Sequence, residues 1–247
     1  MTVSVFELFK LGVGPSSSHT MGPMTAAARF VAGLAREGLL ERTTRVAVKL
    51  YASLALTGRG HATDTAVMLG LMGYEPATLD PDVGMAALAD VRARGELALA
   101  GRRAIAFDEA RDIDWAGRER LPAHPNALAF TAYDGAGLEL TARVWFSVGG
   151  GFVRDEAEMA RNHRDEAGPE LPFPFHSGAD LLQQAEAAGL TIAELMAANE
   201  AARRSPEAVD QGLDDIFAAM QACIERGMRM EGVLPGGLKV KRRAASL

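Results

Sequence analysis

Residues 128–147 read Leu128-Ala129-Phe130-Thr131-Ala132-Tyr133, Asp134-Gly135-Ala136-Gly137, Leu138-Glu139-Leu140-Thr141-Ala142-Arg143-Val144-Trp145-Phe146-Ser147. Two runs rich in β-branched, aromatic and apolar residues flank a short turn with two glycines, which predicts a β-hairpin. In the second run Leu138, Leu140, Ala142, Val144 and Phe146 share one face of a strand, and Glu139, Thr141, Arg143, Trp145 and Ser147 share the other. Upstream, Val46, Val48 and Leu50 alternate with Ala47 and Lys49, a half-buried strand pattern. Apolar residues at helical spacing recur at Met24, Ala27, Ala28, Val31 and Leu34, again over about 61–72, and at about 84–95. Residues 1–160 are therefore expected to form an α/β (α+β) domain with a mixed sheet containing at least one antiparallel pair.

Beyond that point the pattern changes. Gly168-Pro169-Glu170-Leu171-Pro172-Phe173-Pro174-Phe175 cannot propagate a helix, because its prolines lack amide donors and restrict the residues before them. It marks a linker over 161–177. Helices are expected near 178–188, 191–203 and 206–228, the last opened by Ser205-Pro206 and carrying Val209, Leu213, Ile216, Phe217, Met220 and Ile224 on one face. Gly232 and Pro235-Gly236-Gly237 follow its end, and Arg242 to Leu247 resembles the beginning of a further helix. Residues 178–247 thus read as an incomplete all-helical domain.

Composition narrows the function classes. The chain has 247 residues, 26 basic against 32 acidic side chains, and a formal net charge of −6. Clustered cations that would neutralise phosphates are confined to Lys239, Lys241, Arg242 and Arg243, which argues against nucleic acid as a partner. No apolar run approaches the roughly 20 residues of a membrane span. The N-terminus lacks the basic and long apolar regions of a secretory signal. The single cysteine, Cys223, excludes an internal disulfide and a cysteine-ligated zinc or iron–sulfur site made by this chain alone. It also fits a reducing compartment, the cytoplasm. Only four lysines are present, Lys10, Lys49, Lys239 and Lys241, and none lies in a setting suited to a Schiff base, which argues against pyridoxal phosphate.

Four segments could carry chemistry. In Gly12-Val13-Gly14-Pro15-Ser16-Ser17-Ser18-His19-Thr20-Met21-Gly22-Pro23, a tight loop delivers three serines and a histidine to the start of a helix. Backbone donors there favour a small carboxylate; a capping cluster with a surface histidine is the plainer alternative. Ser53-Leu54-Ala55-Leu56-Thr57-Gly58-Arg59-Gly60-His61-Ala62-Thr63-Asp64 places His61 between a strand and a helix, as a general base or as a cap, with Arg59 either a binding cation or a solvated one. Leu121-Pro122-Ala123-His124-Pro125-Asn126 presents His124 from a stiff turn. Phe146-Ser147-Val148-Gly149-Gly150-Gly151-Phe152 could turn amide donors toward an anion. His163 and His176 lie in charged or linker surroundings and are given no role.

In this order the segments FELFKLGVGPSSSHTMGPM, SLALTGRGHATD, LPAHPN, FSVGGGF and MQACIERGMRMEGVLPGGLKVKRRA resemble the single-chain, iron–sulfur-dependent bacterial L-serine dehydratases (L-serine ammonia-lyases), over nearly the whole chain. The resemblance implies a β domain, similar to the allosteric substrate-binding domain of some phosphoglycerate dehydrogenases, followed by a larger helical α domain with the cysteines of a 4Fe–4S cluster. It implies that His61 and His124 are catalytic, that Asn126 and Ser147 position substrate, and that Ser16, Ser17, Ser18, His19 and Thr20 help bind it. L-serine is then the ligand, and the complete protein forms a homo-oligomer. The cluster cysteines of that family would lie beyond this chain, and Cys223 is expected to pack rather than ligate. The chain is accordingly expected to need the missing α-domain portion, or a separate subunit, for activity. The competing expectation is a non-catalytic module that binds an amino acid as a regulatory ligand; a histidine-dependent hydrolase lacks any nucleophile–base motif.

Overall fold

The computed structural model describes residues 2–161, 168–234 and 239–247. In chain order the elements are α1 (Val5–Leu8), a π-helical turn at Ser17–Met21, α2 (Gly22–Arg36), β1 (Arg45–Tyr51), α3 (Ala52–Thr57), a 3₁₀ turn at Gly58–His61, α4 (Thr63–Leu71), α5 (Pro81–Arg94), β2 (Glu96–Leu99), β3 (Arg103–Ala106), α6 (Glu109–Asp112), β4 (Ile113–Ala116), β5 (Ala127–Tyr133), β6 (Glu139–Gly149), β7 (Phe152–Asp155), α7 (Glu156–Ala160), α8 (Gly178–Ala188), α9 (Ile192–Ala201) and α10 (Pro206–Arg229). They separate into two units. One gathers the described residues of Gly12–Arg161 with Gly232–Lys241; the other gathers those of Met1–Leu11, Asn162–Glu231 and Arg242–Leu247.

In the first unit the main sheet runs β4-β1-β5-β6-β7, with β1 parallel to β4 and antiparallel to β5. The expected hairpin is β5–β6, antiparallel from Ala127 opposite Phe146 to Tyr133 opposite Glu139. Its register decides which face of β6 meets the helices. Phe130 stacks on Phe30 of α2 with ring centroids 5.1 Å apart, and Arg143 stands opposite Phe130. The strand face bearing Thr141, Arg143, Trp145 and Ser147 is therefore turned toward α2, with Trp145 and Ser147 buried; Phe146 is buried on the other face. Val46, Val48 and Leu50 of β1 join Leu128 and Phe130 of β5 in one core with Met24, Ala27, Val31 and Leu34 of α2 and Val67, Met68 and Leu71 of α4. Burying some dozen such side chains at about 1.5–3 kcal/mol each fixes the helix–sheet stack. The small residues permit close approach: a Cβ on Gly70 would meet the Met24 backbone carbon at 3.0 Å and the Ala27 methyl at 2.7 Å.

A two-stranded sheet, β2–β3, and the parallel strand β4 were not anticipated from the pattern. The β2–β3 turn is Ala100-Gly101-Arg102, its first two residues at positive φ (51° and 68°).

In the second unit Ser177, Thr191 and Ser205 cap α8, α9 and α10, and Pro206 opens α10 as expected. Residues 168–175 form neither helix nor strand, and Asn199 clamps Phe173 through both backbone groups at 2.9 and 2.8 Å. Glu200 accepts the Val5 amide at 2.9 Å, and Thr2 exchanges two hydrogen bonds with Phe175. The apolar stripe of α10 stays largely open: Val209 is buried, whereas Leu213, Phe217, Met220 and Ile224 are exposed. Cys223 is also exposed, which corrects the expectation that it packs: the described residues leave that stretch of the helix open. Residues 242–247 form one 3₁₀ turn, Ala244–Ser246, rather than a new helix. His163 and Pro235-Gly236-Gly237 lie outside the described residues. Among the described residues no helix is long and apolar enough to cross a membrane.

Candidate functional site

The GPSSSHT segment ends a loop and begins α2 through a π-helical turn. Ser16 takes the cap: its hydroxyl accepts the His19 amide at 3.2 Å, and its carbonyl accepts the amides of Thr20 and Met21. Among the described residues the amides of Ser17 and Ser18 have no acceptor, as the first donors of a helix should not. Gly14 provides the left-handed turn (φ 88°) and lies where a Cβ would collide with the Thr20 side chain. Ser16 is thus a cap, and the first amide donors of the turn accompany it.

The TGRGHATD segment meets this loop directly. The rings of His19 and His61 lie 4.9 Å apart, tilted by 41°. Two threonines cross between the segments. Thr20 donates to the His61 carbonyl at 2.8 Å, and Thr63 donates to the His19 carbonyl at 2.6 Å. Ala62, between His61 and Thr63, holds a left-handed conformation (φ 54°) that costs a non-glycine residue free energy and recurs at functional sites. Gly58 is required where it stands, since a Cβ would meet Trp115 at 2.8 Å and Thr63 at 3.0 Å; Gly60 has open space. Arg59, an exposed residue, lays its guanidinium over Trp115, 4.5 Å from the ring centre.

Hydrogen bonds set the states of the imidazoles. His61 Nδ1 lies 2.9 Å from the Thr57 carbonyl, which only accepts, so Nδ1 carries the proton and neutral His61 keeps its lone pair at Nε2. His124 is the reverse: its Nδ1 accepts the Asn126 amide at 3.1 Å, so neutral His124 bears its proton at Nε2. Burial holds the His124 pKa below the ordinary imidazole value. His19 is gripped at both nitrogens, by the Ser18 hydroxyl at 2.9 Å and the Ser53 hydroxyl at 3.0 Å. Burial, and then the neighbouring His61, push its pKa down against the opposing hydrogen bonding at Ser53.

The remaining segments attach through Ser147, which is fully buried. Its hydroxyl donates to the Ser18 carbonyl at 2.8 Å, its amide to the Asn126 carbonyl at 2.9 Å, and its carbonyl accepts the Asn126 side-chain amide at 3.5 Å. A hydrogen-bonded chain therefore runs from His124 through Asn126, Ser147 and Ser18 to His19. Gly149, Gly150 and Gly151 all take positive φ (103°, 60° and 77°), conformations that only glycine adopts easily in succession. The sequence reading did not assign Ser53, Thr57, Thr63 or Gly22 a part. Thr63 could have been found, as it follows His61 by two residues in the same segment; Gly22 could not, because only the fold sets it against Ser147.

The structure thus gathers a loop of serines at a helix start, two adjacent imidazoles, of which His61 has a fixed tautomer, and a buried serine that links His19 to the loop of His124. Among known families, the one described as serine dehydratase beta chain matches residues 4–158. The chain belongs to that family. The L-serine dehydratase of Streptomyces coelicolor is 44% identical over 246 residues, covering 100% of this chain and 54% of that protein. L-serine dehydratase 1 of Escherichia coli is 42% identical over 99% of this chain and 53% of its own length, and the L-serine dehydratase of Mycobacterium tuberculosis is 40% identical over 99% and 52%. This member of the serine dehydratase β chain family thus spans about half the length of the curated relatives it matches. As for the iron–sulfur cluster implied by the resemblance, the donor set of this chain does not suit one. Its only thiol is exposed on α10, and among the described residues no three histidine, cysteine or carboxylate side chains converge.

Proposed function

We propose that this chain provides the substrate-binding and proton-abstracting part of an L-serine ammonia-lyase, which converts L-serine to pyruvate and ammonia in the cytoplasm. The observation that carries the reading is the tautomer of His61: with Nδ1 committed to Thr57, the free lone pair at Nε2 is the base beside a loop of amide and hydroxyl donors. The serine carboxylate binds the amides of Ser17 and Ser18 at the start of α2, where the helix dipole and unpaired donors favour an anion. Ser147, fully buried, and Asn126 position that loop through the bond from the Ser147 hydroxyl to the Ser18 carbonyl. His61 Nε2 then takes the α-proton. Loss of the β-hydroxyl leaves aminoacrylate, which tautomerises to the imine and takes up water to yield pyruvate and ammonia. His124 presents Nε2–H and acts as a hydrogen-bond donor, not as a second base.

Departure of hydroxide needs an electrophile, and among the described residues no group of three histidine, cysteine or carboxylate side chains could hold a metal ion. In the family it resembles, a 4Fe–4S cluster held by cysteines of the α domain serves that purpose, and we place it in the portion of the longer relatives outside this chain. The test joins this chain to the C-terminal portion of the Streptomyces coelicolor relative, assembled anaerobically with iron and sulfide. Pyruvate formation should fall by about 10²-fold or more in His61→Ala, the typical contribution of a positioned base. The 247-residue chain alone should yield no pyruvate. Near-normal turnover by His61→Ala refutes the base assignment, and turnover by the chain alone refutes the division of labour.

A further inference from the structure

The second unit has an interior too poor in apolar groups for a finished fold. Among its described residues the buried apolar side chains are Ala185, Leu195 and Val209, whereas Thr2, Ser4, Asn199 and Glu200 are buried polar ones. The first unit, by contrast, has one continuous apolar core. So little apolar burial does not offset the entropy of ordering three helices. The apolar surface missing inside is displayed on α10. Leu213, Phe217, Met220, Ile224 and Met228 are between 44% and 61% exposed. They recur every three or four residues and so form one stripe of the helix, with Asp215, Glu225, Arg226 and Arg229 on the opposite side. Packing within the unit reaches only the first turns of α10, where Val209 is buried and a Cβ on Gly212 would collide with the Phe6 ring.

The size of the stripe decides between two occupants. From Leu213 to Met228 it is about 22 Å long and about 10 Å wide at the dimensions of an α-helix. Two copies of the chain facing each other through it bury roughly 450 Å², well under the ~1,200 Å² of a stable association. They also lose translational and rotational freedom on pairing. A segment of the same polypeptide loses far less, because its effective concentration is set by the chain that joins it. The relatives carry such a segment. The Streptomyces coelicolor protein matches all of this chain with 54% of its own length, so nearly as much polypeptide again lies outside the match. The Escherichia coli and Mycobacterium tuberculosis proteins match with 53% and 52% of theirs.

We propose that the stripe from Leu213 to Met228 is the docking surface for the polypeptide that these relatives carry outside the match, received as a second amphipathic helix whose apolar ridge packs into this one. The proposal rests on the reading of this chain as one portion of a longer enzyme. The charged side of α10 stays in water when the stripe is covered, and the unit gains the apolar layer that its described residues lack.

Amide hydrogen exchange tests this without relying on turnover. The 247-residue chain is compared with the joined protein described above, assembled anaerobically. Amides from Leu213 to Met228 should exchange about tenfold or more slowly in the joined protein. Phe217→Gln/Ile224→Gln should return them to the rate of the chain alone. In the chain alone the same variant should not quicken their exchange, since both side chains are exposed there and glutamine is at least as good a helix former. The helix matching α10 in the intact Streptomyces coelicolor protein supplies the same comparison where joining prevents folding, and slowing in either protein supports the docking surface. Exchange no slower in both than in the chain alone overturns it. So does continued protection of α10 in the joined double variant. Exchange that slows as the chain alone is concentrated makes a second copy the occupant and also overturns it. Protection without pyruvate formation refutes the proposed activity and leaves the docking surface standing; pyruvate formation without protection does the reverse.

Discussion

Gly22 begins α2 directly against Ser147, and replacing it with alanine tests whether the site is as tightly closed as its geometry says. A Cβ at position 22 would stand 2.8 Å from the Ser147 Cβ and closer still to its hydroxyl oxygen. Ser147 is fully buried in the middle of the sheet and cannot move aside without giving up its 2.8 Å bond to the Ser18 carbonyl. Overpacking of this kind costs about 1–3 kcal/mol, and the lost hydrogen bond adds about 1 kcal/mol. Alanine recovers up to about 1 kcal/mol of helix propensity. The net expectation for Gly22→Ala is a loss of about 1–3 kcal/mol. Trp115 and Trp145 both belong to this unit, so urea unfolding followed by tryptophan fluorescence reports its stability. Ser147→Gly removes the obstructing atoms, and the double variant Gly22→Ala/Ser147→Gly should be more stable than the two single losses added together, by about 1 kcal/mol or more. Wild-type stability in Gly22→Ala, or additivity within about 0.5 kcal/mol in the double variant, would refute the reasoning.

Two further predictions concern acid. Burial alone would raise the Asp112 pKa, but bonds from Arg111, from the Asp108 amide and from Arg45 outweigh it and hold this carboxyl below its ordinary range. Its contribution is therefore present above about pH 4, the unfolded carboxyl value, and is lost as pH falls through the lower folded value. Asp112→Asn should cost roughly 1–3 kcal/mol at neutral pH and flatten the acid limb of stability measured by urea midpoints between pH 5 and pH 2; an unchanged limb would exclude this residue. His19 and His124 are both depressed in the folded state by burial. The unfolded chain thus binds protons first, and stability should begin to decline as pH falls below about 6.5. Long-range ¹H–¹⁵N spectra of the imidazoles at pH 7 should show His61 protonated at Nδ1 and His124 at Nε2; the opposite assignment for either would remove its proposed role.

The strands and helices whose burial repeats locally were legible. Val46, Val48 and Leu50 gave β1, the Asp134–Gly137 turn gave β5–β6, and α8 to α10 fell close to their expected spans. The buried face of β6 was not, because that choice depends on register: Arg143 is carried to the helix side by pairing with Phe130, not by its own polarity. β4 escaped notice because four residues paired in parallel to β1 hold no local signal, and β2–β3 because a turn opening on Ala100 lacks the usual residue for positive φ. In the site, residue types and loop positions were readable from the segments. Their partnerships were not, since spacing says nothing of which imidazole nitrogen meets a carbonyl and which an amide.

The crossed threonines have a bearing on how the site comes into being. Thr20 reaches a carbonyl 41 residues away, Thr63 one 44 residues away, and Ser147 one 129 residues away. Contacts so distant along the chain form only after the intervening loops have been closed, at an entropic cost that local structure cannot defray. The His61 ring is held locally, by the Thr57 carbonyl, but the meeting of the two segments rests on these distant contacts. The juxtaposition of the two histidine segments should therefore track the fully closed sheet rather than any partly structured form that precedes it.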